Sequence, residues 1–213
     1  MSSDDSLQAG KKLQDEVLCF DPRAKGLPVD NVNILLCGGV GSGKSSFVST
    51  VDSLCEGHIS RIAPHGQGTG SLTCKLRKYS FNRPDTRQKV HWKLWDTMGW
   101  SASDFRQGEL GYILDGELPD RCRLDQSNLA RTPGLNSGVQ DRVHCICLVV
   151  PCDSATDEAY MLWFREMVQF ARNRGKPSRK HVVEISSVYM SAYKTSASAV
   201  KLLASACFCW SCV

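Results

Sequence analysis

Apolar residues fall along this chain in two rhythms. "VNILLCG" (32–38) is a near-continuous apolar run ending in glycine, as expected of a strand covered on both faces. "KSSFVSTVDSLCEG" (44–57) places Phe47, Val51 and Leu54 at helical spacing, with Gly57 as a stop. Strand, glycine loop and helix in that order make the opening βα unit of a parallel α/β sheet. "LTCKLRKYSF" and "KVHWKLWD" read as two strands, the second alternating through Val90, Trp92 and Leu94. The turn-like "NRPDTRQ" between them predicts a hairpin. "ELGYILDGELP" predicts a short helix running into a turn, and "VHCICLVVPC" a second buried strand. "DEAYMLWFREMVQFARNRG" predicts an amphipathic helix on Met161, Leu162, Phe164, Met167, Val168 and Phe170, with basic residues in its last turn.

The remaining segments are weakly patterned. Residues 1–30 are polar, with Leu13, Val17 and Leu18 forming one face of a short helix before Pro22. Residues 116–141 predict a long surface loop, and "HVVEISSVYM" (181–190) one further strand. Beyond it the chain is rich in Ser, Ala and Cys, and there is no internal repeat. The expected organisation is a polar extension (1–30), an α/β domain (31–178) and a divergent Ser/Cys-rich tail (179–213).

Composition narrows the class. A chain of 213 residues with 42% apolar and 23% charged residues suits one soluble globular domain. A net charge of +4 is mild and points to neither nucleic acid nor a membrane surface. No window reaches the roughly 18–20 apolar residues of a membrane span. The polar, acidic start "MSSDDSLQAGKKLQDE" has no apolar leader, so the eleven cysteines read as reduced thiols in a cytoplasmic protein. Cys37, Cys145 and Cys147 sit in apolar runs, where a thiol acts as a small hydrophobe. Cys207, Cys209 and Cys212 lack a fourth zinc ligand at the usual spacing, so the expectation is an alternative tail rather than a metal site. Arg172, Arg174, Lys176, Arg179 and Lys180 read as a solvated helix end.

The chemistry lies between the strand and the helix. "GGVGSGKS" fits G-x-x-x-x-G-K-[ST] through Gly38, Gly43, Lys44 and Ser45. Glycines let such a loop turn its N–H groups inward as an anion nest, and the helix N-terminus adds its dipole. The expected nucleotide-binding set is Gly38, Gly39, Val40, Gly41, Ser42, Gly43, Lys44, Ser45 and Ser46. Lys44 would reach the β- and γ-phosphates, and Ser45 would ligate Mg²⁺. "WDTMG" ends a predicted strand, so Asp96 would hold Mg²⁺ through water, and the N–H of Gly99 would face the γ-phosphate. D-x-x-G after a P-loop points to the GTPase branch, with GTP or GDP as the ligand. A threonine closing over the metal is expected in "GQGTGSLT", at Thr69 or Thr73.

Two departures bear on mechanism. Hydrolysing GTPases often place Gln after the D-x-x-G glycine to orient water; here the residue is Trp100. Hydrolysis is therefore expected to be weak or absent, and no catalytic residue is assigned. The N/T-K-x-D element that reads guanine is missing after residue 175; the nearest register puts Tyr189 where Asp belongs.

"NILLCGGVGSGKSSF", "GHIS", "WDTMGW", "GYILDGELPDR" and "DRVHCICLVVPCDS" resemble the interferon-induced protein 44 family over roughly residues 31–175. The resemblance implies a mostly parallel P-loop sheet flanked by helices, incomplete toward the C-terminus, with GTP and Mg²⁺ as ligands and an immune-response role. It carries over onto Gly38 to Ser45, Asp96 and Gly99, and implies unidentified protein partners. Three functions stay open: a GTP binder of low activity, an active GTPase, and an interaction protein that holds nucleotide weakly without reading the base.

Overall fold

The computed structural model describes residues 3–63, 75–103, 105–124, 139–151, 153–174 and 188–189. Helix α1 (Ser3–Leu18) leads to strand β1 (Val32–Gly38) and helix α2 (Lys44–Glu56). The hairpin of β2 (Arg77–Asn82) and β3 (Lys89–Asp96) follows, then α3 (Gln107–Leu114), β4 (Cys145–Val150), α4 (Glu158–Arg174) and β5 (Val188–Tyr189). The sheet order is β2-β3-β1-β4-β5. β1 pairs parallel with β3 and β4, β4 pairs parallel with β5, and β2 pairs antiparallel with β3.

β1 is central and buried along its whole length, which is why its sequence is almost unbroken apolar. Alternate residues serve opposite faces. Ile34, Leu36, Trp92 and Leu94 pack with Val17, Leu18 and Phe20 and with Phe47, Val48 and Val51 of α2. Leu35, Cys37 and Trp95 pack instead with Leu110 and Ile113 of α3 and Trp163, Phe164 and Met167 of α4. The predicted P-loop type of α/β sheet, covered on both faces, is thus the observed one. Residues 1–30 contribute to it directly: Val17 is fully buried, and its carbonyl accepts the indole N–H of Trp92 at 3.0 Å.

Asn33 is the polar exception inside β1, with no exposed surface. Its amide donates to the carbonyls of Gln140 (2.7 Å) and Arg142 (2.8 Å), and its Oδ1 accepts from Trp95 Nε1 (3.2 Å). Its backbone N–H donates to His144 Nδ1 at 2.9 Å. These bonds satisfy the buried amide and tie the segment before β4 to the foot of the sheet.

Three expectations need correction. In α4, Leu162 is exposed and Trp163 is in the core, because a run of apolar residues from 160 to 164 leaves the helical phase open. Residues 118–124 are not a free surface loop. Leu118 and Leu124 are buried, and Leu76 N–H donates to the Cys122 carbonyl (2.8 Å) while Arg121 N–H donates to that of Leu76 (2.7 Å). Arg174 is not merely solvated: it donates twice to Asp115 Oδ2 (2.8 and 3.1 Å) and lies over Gly111, joining α4 to α3. Residues 125–138 of the expected loop, and all of 179–213 except Val188–Tyr189, lie outside the described residues.

Candidate functional site

The loop between β1 and α2 is shaped by glycine. Gly41 (φ 70°) and Gly43 (φ 94°) adopt the left-handed conformation that a side chain disfavours. Gly38 has no room for a Cβ, which would fall 2.1 Å from the Val149 carbonyl oxygen of β4. Lys44 opens α2 and is buried, 5% exposed. Its Nζ donates to the carbonyls of Gly38 (3.1 Å) and Gly39 (2.8 Å) and to Ser42 Oγ (3.3 Å). The ammonium is therefore held across the mouth of its own loop. Burial pulls its pKa down to about 8, against the opposing pull of Asp96.

The end of β3 brings the second motif to the first. Leu36 and Asp96 are parallel partners, so the strand ends lie level beside the loop. Ser45 Oγ donates to Asp96 Oδ2 at 2.7 Å. Asp96 has no exposed surface, and its Oδ1 has no hydrogen-bond partner among the described residues. Burial raises its pKa to about 6, with Ser45, Lys44 and Arg77 opposing. Arg77 stands directly across from Asp96 in the antiparallel register. Thr97 Oγ1 donates to the Leu36 carbonyl (2.9 Å), and Trp100 N–H donates to that of Gly38 (3.2 Å). A Cβ on Gly99 would lie 2.4 Å from Val40 Cα, so only glycine lets these two segments touch.

Around this contact is an aromatic wall. Trp100 is 1% exposed and meets Phe105 edge-on at 5.8 Å; Phe105 lies 6.0 Å from Trp163. Tyr160 stands edge-on to Trp163 at 5.4 Å, and its phenol oxygen accepts the Gly39 N–H at 3.2 Å. The structure thus unites Gly38 to Ser46 with Asp96 and Gly99. Thr69 and Thr73 lie outside the described residues, as do Cys207, Cys209 and Cys212. Among the described residues no group of three His, Cys, Asp or Glu forms a metal cluster, and no helix is long and apolar enough to cross a membrane.

Sequence reasoning did not single out Thr97 or Tyr160. The threonine was visible inside "WDTMG", but its bond to Leu36 depends on β1 and β3 being neighbours. Tyr160 carried no sign beyond its place in the first turn of an amphipathic helix. Chemically, the site offers a glycine-shaped loop at a helix N-terminus, one ammonium, one hydroxyl and one buried carboxylate whose Oδ1 has no partner among the described residues. That donor set can hold a phosphate chain and an oxygen-ligated divalent cation.

Fold and site together define a P-loop NTPase-like α/β domain. No family model matches the chain. It is 32% identical to interferon-induced protein 44-like of Homo sapiens over 137 residues, 59% of this chain and 29% of that protein. It is 28% identical to interferon-induced protein 44 of Pan troglodytes over 158 residues (70% of this chain, 34% of that protein). Against the Mus musculus protein of the same name it is 29% identical over 143 residues (63% and 33%). The chain spans about a third of the length of these curated relatives. Over this region the chain is thus similar to members of the interferon-induced protein 44 family.

Proposed function

We propose that this domain binds a nucleoside triphosphate, GTP in preference to ATP, together with Mg²⁺, and hydrolyses it slowly or not at all. The observation that carries the reading is the Ser45–Asp96 hydrogen bond beside a buried Lys44. It sets a phosphate cradle and a carboxylate at one point, from motifs fifty residues apart. Asp96 Oδ1 suits a metal-bound water, since it is a buried acceptor with no partner among the described residues. Ser45 Oγ would ligate the metal while its hydroxyl proton stays hydrogen-bonded to Asp96 Oδ2. Ser45 and Asp96 would thus hold a cation whose positive charge would offset the negative charge of the phosphate oxygens. Lys44, already at the loop mouth, would exchange one or more of its three bonds within the loop for bonds to those oxygens.

Slow hydrolysis follows from Trp100. It occupies the position after Gly99, is buried, and is held to the loop through its backbone. An indole N–H donates but cannot accept, so it cannot take a proton from an attacking water. The preference for guanine rests on D-x-x-G and on the family resemblance, and an interferon-induced role rests on what the relatives' names say of them.

Competition of GTP and ATP for the chain, followed by multiple-turnover phosphate release, tests both parts. GTP should displace labelled GTP more effectively than ATP does, and phosphate release should be slow. Equal competition by ATP removes the guanine preference. Rapid release that disappears in Lys44→Ala would make the protein an active GTPase instead.

A further inference from the structure

The P-loop is gripped from outside as well as from within. Its Gly39 N–H donates to the phenol oxygen of Tyr160 at 3.2 Å, across the sheet edge from α4. Gly39 is buried under that ring. A Cβ there would fall 2.7 Å from the Tyr160 oxygen and 3.0 Å from its ring. Glycine at 39 therefore makes room for the tyrosine. Tyr160 is itself placed firmly along the chain. Asp157 Oδ1 accepts the N–H groups of Ala159 (2.9 Å) and Tyr160 (3.1 Å), capping α4 at the turn that carries the phenol.

The ring is not held by packing on every side. A cavity of about 290 Å³, lined among others by Val40, Trp100, Asp157 and Tyr160, opens beside it. Trp163 and Phe164 flank the ring, and on the side open to the cavity the hydrogen bond to Gly39 helps to fix where the phenol oxygen sits. Without the phenol oxygen, the buried N–H of Gly39 would lose its acceptor, at a cost that falls on the loop itself.

We infer that Tyr160 is a positioning residue of the phosphate cradle, holding the P-loop in its binding shape from helix α4. The inference rests on the nucleotide-binding reading above. It gives α4 a direct mechanical connection to the phosphate end of the site, through an atom that never touches nucleotide. Loss of the tie should let bound nucleotide escape sooner and leave encounter almost unaffected, because the nest amides that attract phosphate remain.

The test uses the full chain with a fluorescent N-methylanthraniloyl GTP and Mg²⁺. Tyr160→Phe should raise the dissociation rate about three- to tenfold, with association within about twofold. Gly39→Ala should weaken binding more severely, and Gly39→Ala with Tyr160→Val should bind better than Gly39→Ala alone, since the Cβ then has room. In the nucleotide-free chain, amide exchange at Gly39 should be faster in Tyr160→Phe than in wild type. An unchanged dissociation rate in Tyr160→Phe, or a double variant no better than Gly39→Ala, overturns the inference. If wild type binds no nucleotide, the functional reading fails. The Gly39 exchange then decides the tie by itself, and equal exchange in the two proteins would sink it.

Discussion

Lys44 and Asp96 are both buried, and burial works against the charge on each. With pKa values of about 8 and about 6, both are ionised only in the interval between them. The signs differ. Asp96 is raised in the folded chain, so folding favours its neutral form. Its share of stability is full below the ordinary carboxylate pKa and is lost as pH rises through about 6. Lys44 is lowered, so its share is full above the ordinary lysine range and is lost as pH falls through about 8. Removing the Asp96 charge should thus stabilise the nucleotide-free protein at neutral pH while taking the carboxylate from the proposed metal site. Asp96→Asn should unfold at higher denaturant than wild type at pH 7, by about 1–3 kcal/mol, with the gap closing near pH 4. Equal gaps at both pH values would show that the carboxylate is not strained by burial. Gly99→Ala is a steric counterpart. Its Cβ would strike Val40, so triphosphate affinity should fall at least about tenfold while circular dichroism stays unchanged. At this scale the sequence was informative because phosphate binding demands glycines, a lysine and a hydroxyl at set spacing. Tyr160 escaped notice because one tyrosine oxygen on one backbone amide has no spacing rule.

The helices and strands were legible where burial enforced a period, and illegible where polar side chains did the fastening. α2 ends at Gly57, in the left-handed conformation expected of a helix stop. The chain then turns back along α2. Ser60 N–H donates to Ser53 Oγ (2.8 Å), Ser60 Oγ donates to Asp52, and Ala63 N–H donates to Ser49 Oγ (3.3 Å). Residues 60 and 63 are thereby laid against successive turns of α2, heading back toward Ser45. Ser49, Asp52 and Ser53 belong to no motif in the sequence, and only the fold shows them as a fastening. Asp52→Asn with Ser60→Ala should raise amide exchange across residues 58–63 by about tenfold and leave the middle of α2 protected. Uniform loosening of both segments would mean that the bonds are incidental to the path.

Across the whole molecule, β1 orders everything else. It carries the loop at one end, lies between β3 and β4, and shows one face to α1 and α2 and the other to α3 and α4. The central strand and the βα order were readable from continuous apolar runs. The docking of α1 was not, because its apolar face is short and the partner of Val17, Trp92, lies 75 residues away. Val17 closes that contact, so Val17→Ala should lower stability by about 1–3 kcal/mol in denaturant unfolding. A negligible change would make α1 a passenger on the domain.

The central claim is that the cradle of Gly38 to Ser46 and the carboxylate of Asp96 form one metal-assisted triphosphate site. Equilibrium binding of labelled GTP, with Mg²⁺ and with EDTA, to wild type and Lys44→Ala tests it most directly. The account predicts one GTP per chain, tighter by at least about tenfold with Mg²⁺, and lost in Lys44→Ala. Absence of binding, or binding indifferent to both Mg²⁺ and Lys44, would contradict it.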